Sequence, residues 1–587
     1  MEQPAARSRS RGAGLPSAVA PATWRRAGRW LTAAPACLVV LGLGVLAGAA
    51  SADGSTPAVA RVGAAPTAAA PVPARTVRHE LRRSATGEPS TLDPQLWTYG
   101  QDGNLAQDLF QGLTTLDAAA RPVPGQAESW SVSADGLRYT FHLRRGLRWS
   151  DGVPIDSRDF LWSFRRLFDP RTAAPSAALL YMIRGAREVA SGRAAPATLG
   201  VSAPDPGTLV IDLEHPAPNL LDLLVHRAFP VPRHVVEKWG RDWTRAGRLV
   251  SNGAFVLGEW RPGSHVRLDR NPMFFDAGTV RLDSVFHVLA EDPGAALRRF
   301  RAAELDVVVT LPSEQIGTLR REFTSQLHLV RQIGLEYLAF NTRRPPFDDE
   351  RVRRALSMAV EREVLSSRIL QGGEPAAYCL VPPGVDHYPR PGCADFATWP
   401  SARRQQEARR LLAAAGYGPH KPLSLRLRHP GSETHRRVAL AIAAMWQPLG
   451  VRTALVTADM KTHQQAIAEG DFEVARASWY AEDRDAASFL ALLDSRAGPL
   501  NLSGNADPEF DALLDRAMGT NDLAARAAAF ATAEARAMAR QPIAPLYVYV
   551  SRRLISSRVR GWVDNPRGVH LNRYLDVVPR AASGRLD

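Results

Sequence analysis

From Asp471 to Leu490 the chain reads DFEVARASWYAEDRDAASFL. Phe472, Val474 and Ala475 mark an alternating strand that carries Arg476 among small residues. The strand then meets Trp479 and an acidic run, Glu482, Asp483 and Asp485, interrupted by Arg484. A cation, a large aromatic ring and a carboxylate cluster therefore fall together at a strand end, where α/β folds place their ligand sites. The set suits a zwitterion, with carboxylates taking an amine and the arginine a carboxylate. The same residues also describe an edge strand running into a solvated acidic turn, and the rest of the chain has to decide between the two.

Catalysis leaves no comparable mark. The sequence holds no G-x-S-x-G elbow, no H-E-x-x-H and no Walker A run, so no enzyme activity is expected. A murein-related hydrolytic role is the minor alternative, since catalytic groups need not be sequence neighbours. Cys379 and Cys393 flank a Pro/Gly-rich loop and suit a local disulfide in an oxidising compartment. A zinc site needs further ligands, and only His387 is close, so neither metal nor cofactor is expected.

The elements that must position these groups come from 587 residues, 45% apolar and 22% charged, enough for two or more domains with real cores. The net charge is +14, and six arginines against one glutamate before residue 53 supply part of it. The remaining arginines are scattered through helices and no nucleic-acid motif appears, so a nucleic-acid partner is not expected.

Leu31 to Ala50 is uncharged and largely apolar, follows Arg25, Arg26 and Arg29, and precedes Ala50-Ser51-Ala52, a small-x-small cleavage site. Residues 1–52 thus have the form of a secretory signal, and the apolar run, about 20 residues, is also long enough to remain as an N-terminal anchor. Residues 53–75 form an Ala/Pro-rich linker. An extracytoplasmic or periplasmic chain is expected, released or tethered by its own N-terminal helix.

Beyond the linker the pattern is α/β, strands alternating with helices. Asn104 to Leu113 has helical spacing, and Tyr139, Phe141 and Leu143 alternate in a hairpin turned at Asp135-Gly136. Asp156 or Ser157 caps a helix through Phe160, Phe164 and Leu167. Leu209–Leu213 and Asp306–Thr310 read as strands, and Arg233–Trp239 and Thr434–Trp446 as helices.

Several of these stretches carry a resemblance. Leu92-Asp93-Pro94, Asp108-Leu109-Phe110-x-Gly112-Leu113, Leu147-Arg148-Trp149-Ser150-Asp151-Gly152 and Asp159-Phe160 occur in that order. They are followed by Asn252-Gly253-Ala254-Phe255, Phe340-Asn341, Pro346-Phe347-Asp348 and the ARRLLAAAGY run ending at Tyr417. Together they resemble the solute-binding proteins of peptide ABC importers, among them the periplasmic oligopeptide-binding proteins, over about residues 80–575. The resemblance implies a two-lobed clamp with a satellite domain, closing on an extended oligopeptide and passing it to permease subunits in the membrane, with the protein a monomer. Lobe one is expected from 76–110 with 235–333 and 550–587, the satellite from 111–234 and lobe two from 334–549, with hinges near 333 and 550. Relatives in the family also take cell-wall peptides, nickel chelates, haem or glutathione, so a non-peptide solute is the alternative.

The resemblance also assigns roles. The family's Arg-x-x-Trp-x-x-Asp pattern falls on Arg476, Trp479 and Glu482, the last a glutamate where the family has aspartate, with Asp483 beside it. Glu482 or Asp483 would take the ligand amine, Trp479 would wall a side-chain pocket, and Arg476 with His435 would face the carboxylate end. Thr98 stands where the family's first binding loop has an acidic residue, Met460 where it has a tryptophan and Ser176 where it has a tyrosine.

Overall fold

A computed structural model of the chain describes residues 78–97, 100–481 and 483–579. The expected signal or anchor 1–52, the linker 53–75, Thr98 and Glu482 lie outside the described residues.

Two long antiparallel strands, Leu327–Phe340 and Ile543–Ile555, form the middle of a ten-stranded sheet. On one side follow Val474–Tyr480, Leu423–Pro430 and Val451–Ala458, the last two paired in parallel. On the other follow Val307–Val308, Glu80–Ala85, Ser284–Leu289, His265–Arg270 and Phe255–Arg261. One hydrogen-bonded ladder therefore runs through both regions expected as separate lobes.

The apolar packing is divided where the ladder is not. One buried cluster draws on residues from Ile333 to Val548. Another gathers Leu81 to Val285 together with Val307, Ile555 and Val577, and a smaller one packs Ala296, Phe300 and Leu319 on Leu554. Backbone pairing is indifferent to side chains, whereas a core forms only where apolar groups meet. The pairing of the two long strands slips between Arg331 and Leu335, close to the boundary of the clusters, as a bulge does when a strand changes direction.

The expected hairpin forms between Ala127–Val132 and Arg138–Leu143, with Gly136 at φ 71° in its turn, and belongs to a four-stranded sheet with Thr208–Asp212 and Val201–Asp205. Asp156 caps the helix Ser157–Leu167 in a reciprocal box with Asp159. Arg233–Trp239 is helical throughout, as its pattern predicts. The helix predicted to run to Leu113 ends at Leu109, and the strand predicted over 306–310 shrinks to Val307–Val308. There the Ser84 hydroxyl takes the Val309 amide at 3.0 Å and draws it off the ladder.

The sulfurs of Cys379 and Cys393 stand at bonding distance, with their Cα atoms 4.1 Å apart. The loop between them is pinned by Glu534, which is wholly buried and accepts from the Val381 and Gly392 amides at 2.7 Å and from the Tyr388 hydroxyl at 2.6 Å. Among the described residues no helix is long and apolar enough to cross a membrane.

Candidate functional site

Arg476 lies on the strand Val474–Tyr480 with no exposed surface. Its guanidinium donates to the Glu336 carboxylate, to the Tyr547 hydroxyl at 2.9 Å and to the His435 carbonyl at 2.9 Å. Glu336 is 1% exposed and also accepts from the Tyr549 hydroxyl. Burial pushes the Glu336 carboxyl up, against the pull of Arg476. The resemblance gives Arg476 to a ligand carboxylate; in the structure a carboxylate of the chain itself already holds it.

His435 begins the helix Glu433–Trp446, which Ser432 caps. Its Nδ1 is buried without a hydrogen-bond partner, 3.9 Å from Glu336. Burial, and then the neighbouring Arg476, bring its pKa down to about 3, so the ring is neutral. Trp479 is half-buried against the cluster of the second region, and its Nε1 is a buried donor with no acceptor. Buried polar groups are nearly always paired, and each exception calls for a cause.

Asp483 and Asp485 do not lie in a solvated turn. Asp483 is 3% exposed and accepts from Asn219 Nδ2 at 2.8 Å, from the Ser488 hydroxyl and from the Asp485 amide at 3.1 Å. Burial, with Asp485 next, pushes its pKa up to about 6. Asp485 is held by both guanidinium nitrogens of Arg526, at 2.6 and 3.0 Å. The Arg484 amide donates to Asp222 at 3.0 Å, and its side chain pairs with Asp386 at 2.7 Å. Asp222 also takes Arg567, whose other nitrogen meets His226 at 2.6 Å. Asn219 and Asp222 belong to the start of the helix Leu220–Arg227, so the run forms a seam between distant stretches of chain.

The structure brings Arg476 and His435 together around Glu336, whereas Trp479 follows on the same strand and Asp483 packs against Asn219 at the start of the helix Leu220–Arg227. Tyr480, 52% exposed, stacks on Tyr549 with ring centroids 4.3 Å apart. Met460 opens the helix Met460–Ala468 and is exposed, whereas Ser176 is buried. Sequence reasoning missed Glu336, Tyr547 and Tyr549. Glu336 had a signal: it is the one carboxylate in the apolar run Ile333 to Phe340. Among the described residues no group of three or more His, Cys, Asp and Glu side chains could hold a metal ion.

Comparison with known proteins is consistent with this geometry. The chain is 36% identical over 518 residues to the periplasmic murein peptide-binding protein MppA of Escherichia coli, covering 87% of this chain and 96% of that one. It is 34% identical over 504 residues to the periplasmic oligopeptide-binding protein OppA of the same organism, covering 84% and 92%. The crystal structure of Haemophilus influenzae OppA in complex with RPPGFSPFR superposes with a TM-score of 0.74 at 30% identity, over 85% of this chain and 99% of that one. Residues 121–500 match the bacterial extracellular solute-binding proteins, family 5, middle region. On this agreement of sequence and fold, the chain belongs to the family 5 extracellular solute-binding proteins.

Proposed function

We propose that the chain is the extracytoplasmic binding component of an ABC importer, holding an oligopeptide in extended form and delivering it to a membrane permease, with no catalysis of its own. One observation carries the reading. Two donors or acceptors are buried without partners, Trp479 Nε1 on the strand Val474–Tyr480 and His435 Nδ1 on the helix Glu433–Trp446, the latter 3.9 Å from the buried Glu336 carboxylate. An unpaired buried group costs about 1–3 kcal/mol, and a peptide backbone offers the acceptors and donors that remove the cost. The similarity to oligopeptide- and murein peptide-binding proteins supports the same class of ligand.

In this reading Glu482 and Asp483 take the ligand amine, Trp479 walls a side-chain pocket, and Thr98 contributes to ligand binding. His435 stands toward the far end of the ligand, and Arg476 acts from beneath by fixing the His435 backbone. The two lobes, 76–110 with 235–333 and 550–587 against 334–549, move on the slipped pairing near Arg331 and Leu335, carrying the satellite 111–234 with the first. The chain works as a monomer. Calorimetric titration of Glu482→Ala and the parent with a free-amino peptide and its N-acetyl form tests the amine site. The variant should lose affinity for the free-amino peptide alone. Equal affinities throughout would remove Glu482 from the site.

A further inference from the structure

Arg476 is neutralised from within; Arg83, which is buried, and Arg553, which is half-buried, have no carboxylate in contact among the described residues. Arg83, 6% exposed, ends its reach on neutral acceptors, the Asn572 side chain at 2.9 Å and the His570 carbonyl at 3.4 Å. Arg553 meets His570 Nδ1 at 2.7 Å and the Gly568 carbonyl at 2.7 Å, and its Nε is buried with no partner. Neither guanidinium is in ion-pair contact with a carboxylate among the described residues. Asp108 acts on Arg83 electrostatically but is hydrogen-bonded to it only by way of Asn572. Asp564 is hydrogen-bonded to His328 Nδ1 at 2.9 Å and to Trp562 Nε1 at 3.0 Å and acts on Arg553 only at a distance. A largely buried cation with no carboxylate in contact is costly, and the cost falls when an anion joins it.

Both arginines line one cavity of 260 Å³, together with Gln101, His265, His287 and Glu88. It opens where the strand Glu80–Ala85 ends and the helix Gly100–Leu109 begins, the crevice in which α/β sheets bind ligands. Glu88, also in the lining, makes no ion pair with either arginine and instead accepts from Trp260 Nε1 at 3.2 Å and from the Gly263 amide. The loop behind Arg553 is fitted closely: Gly568 has φ 64°, and a Cβ there would stand 2.8 Å from Arg553 Nη2. Burial lowers the pKa of His287 and pushes His570 down to about 2, so these rings add no charge of their own.

We propose that this cavity is an anion subsite, in which Arg83 and Arg553 hold a carboxylate of the transported solute. For a peptide the group is either its C-terminus or an acidic side chain. The assignment of the solute as a peptide rests on the proposed function; the anion site does not.

The test uses the full chain and four probes: Ala-Gln-Ala amide, Ala-Gln-Ala with a free C-terminus, Ala-Glu-Ala amide, and glutarate alone. At least one carboxylate-bearing peptide should bind the parent about tenfold tighter than the plain amide, a difference near 1.4 kcal/mol. Arg553→Gln and Arg83→Gln should each abolish that preference and leave the plain amide within about twofold of the parent. Arg553→Lys should keep part of it. Glutarate should raise the melting temperature of the parent and of neither Gln variant. Which peptide gains identifies the source of the carboxylate. If no peptide binds but glutarate stabilises the parent through these arginines, the peptide reading falls and the anion site stands. Equal binding of all three peptides with no glutarate shift in the parent overturns the proposal, and that comparison needs no variant to fold. A carboxylate preference that survives both Gln variants overturns it as well.

Discussion

Arg476 and Glu336 form an ion pair closed off from solvent, 140 residues apart in sequence and on neighbouring strands of the sheet. The pair ties the two strands together and lends the sheet no net charge there. Removing one partner leaves the other buried and uncompensated. Glu336→Ala should therefore cost about 3–5 kcal/mol in urea denaturation, and the double replacement Glu336→Leu with Arg476→Met markedly less. A cost below 1 kcal/mol for Glu336→Ala would mean that water reaches Arg476.

Asp483 sets a pH dependence. Its pKa rises from 3.8 to about 6 on folding, through burial and the neighbouring Asp485. A carboxyl raised in this way adds stability below its unfolded value and loses it as pH climbs through the folded one. The parent should thus lose stability between about pH 4 and pH 6, by roughly 3 kcal/mol at 1.36 kcal/mol per unit, and Asp483→Asn should flatten that step. Thermal melts across this range decide it, and an unchanged slope in the variant would contradict the assignment.

Ligand binding should run the opposite way. An ammonium beside Asp483 favours the ionised form, so the affinity of a free-amino peptide should rise from pH 5 to pH 7, while an N-acetylated peptide stays flat. Parallel profiles for the two peptides would place the amine elsewhere.

Glu534 holds the loop closed by Cys379 and Cys393 through three donors. Glu534→Ala leaves two backbone amides unpaired and should cost about 2–6 kcal/mol, at 1–3 kcal/mol for each. Tyr388→Phe removes one bond and should cost about 1 kcal/mol. Chemical denaturation of both variants checks the order.

Much of this was legible before the structure because it is local. Asp135-Gly136 makes its turn, Asp156 caps its helix, and Arg476, Trp479 and the acidic run follow one strand end. What pairs across the fold was not legible. Periodicity marks Glu336 as buried without saying that Arg476 meets it, and nothing near Arg83 in sequence announces Arg553. The single ladder was hidden for the same reason: the partners of a strand are set by topology, and Leu327–Phe340 and Ile543–Ile555 lie far apart in the chain.

The central claim, that the solute is a peptide, is tested most directly by what the protein carries. The chain should be purified from its producing cells without denaturation, and the bound solute released by unfolding and identified by mass spectrometry. The account predicts a set of short peptides with free amino termini, present in the parent and depleted in Glu482→Ala. A single non-peptide solute, such as a haem, a bile acid or a metal chelate, held equally by both proteins, would contradict it.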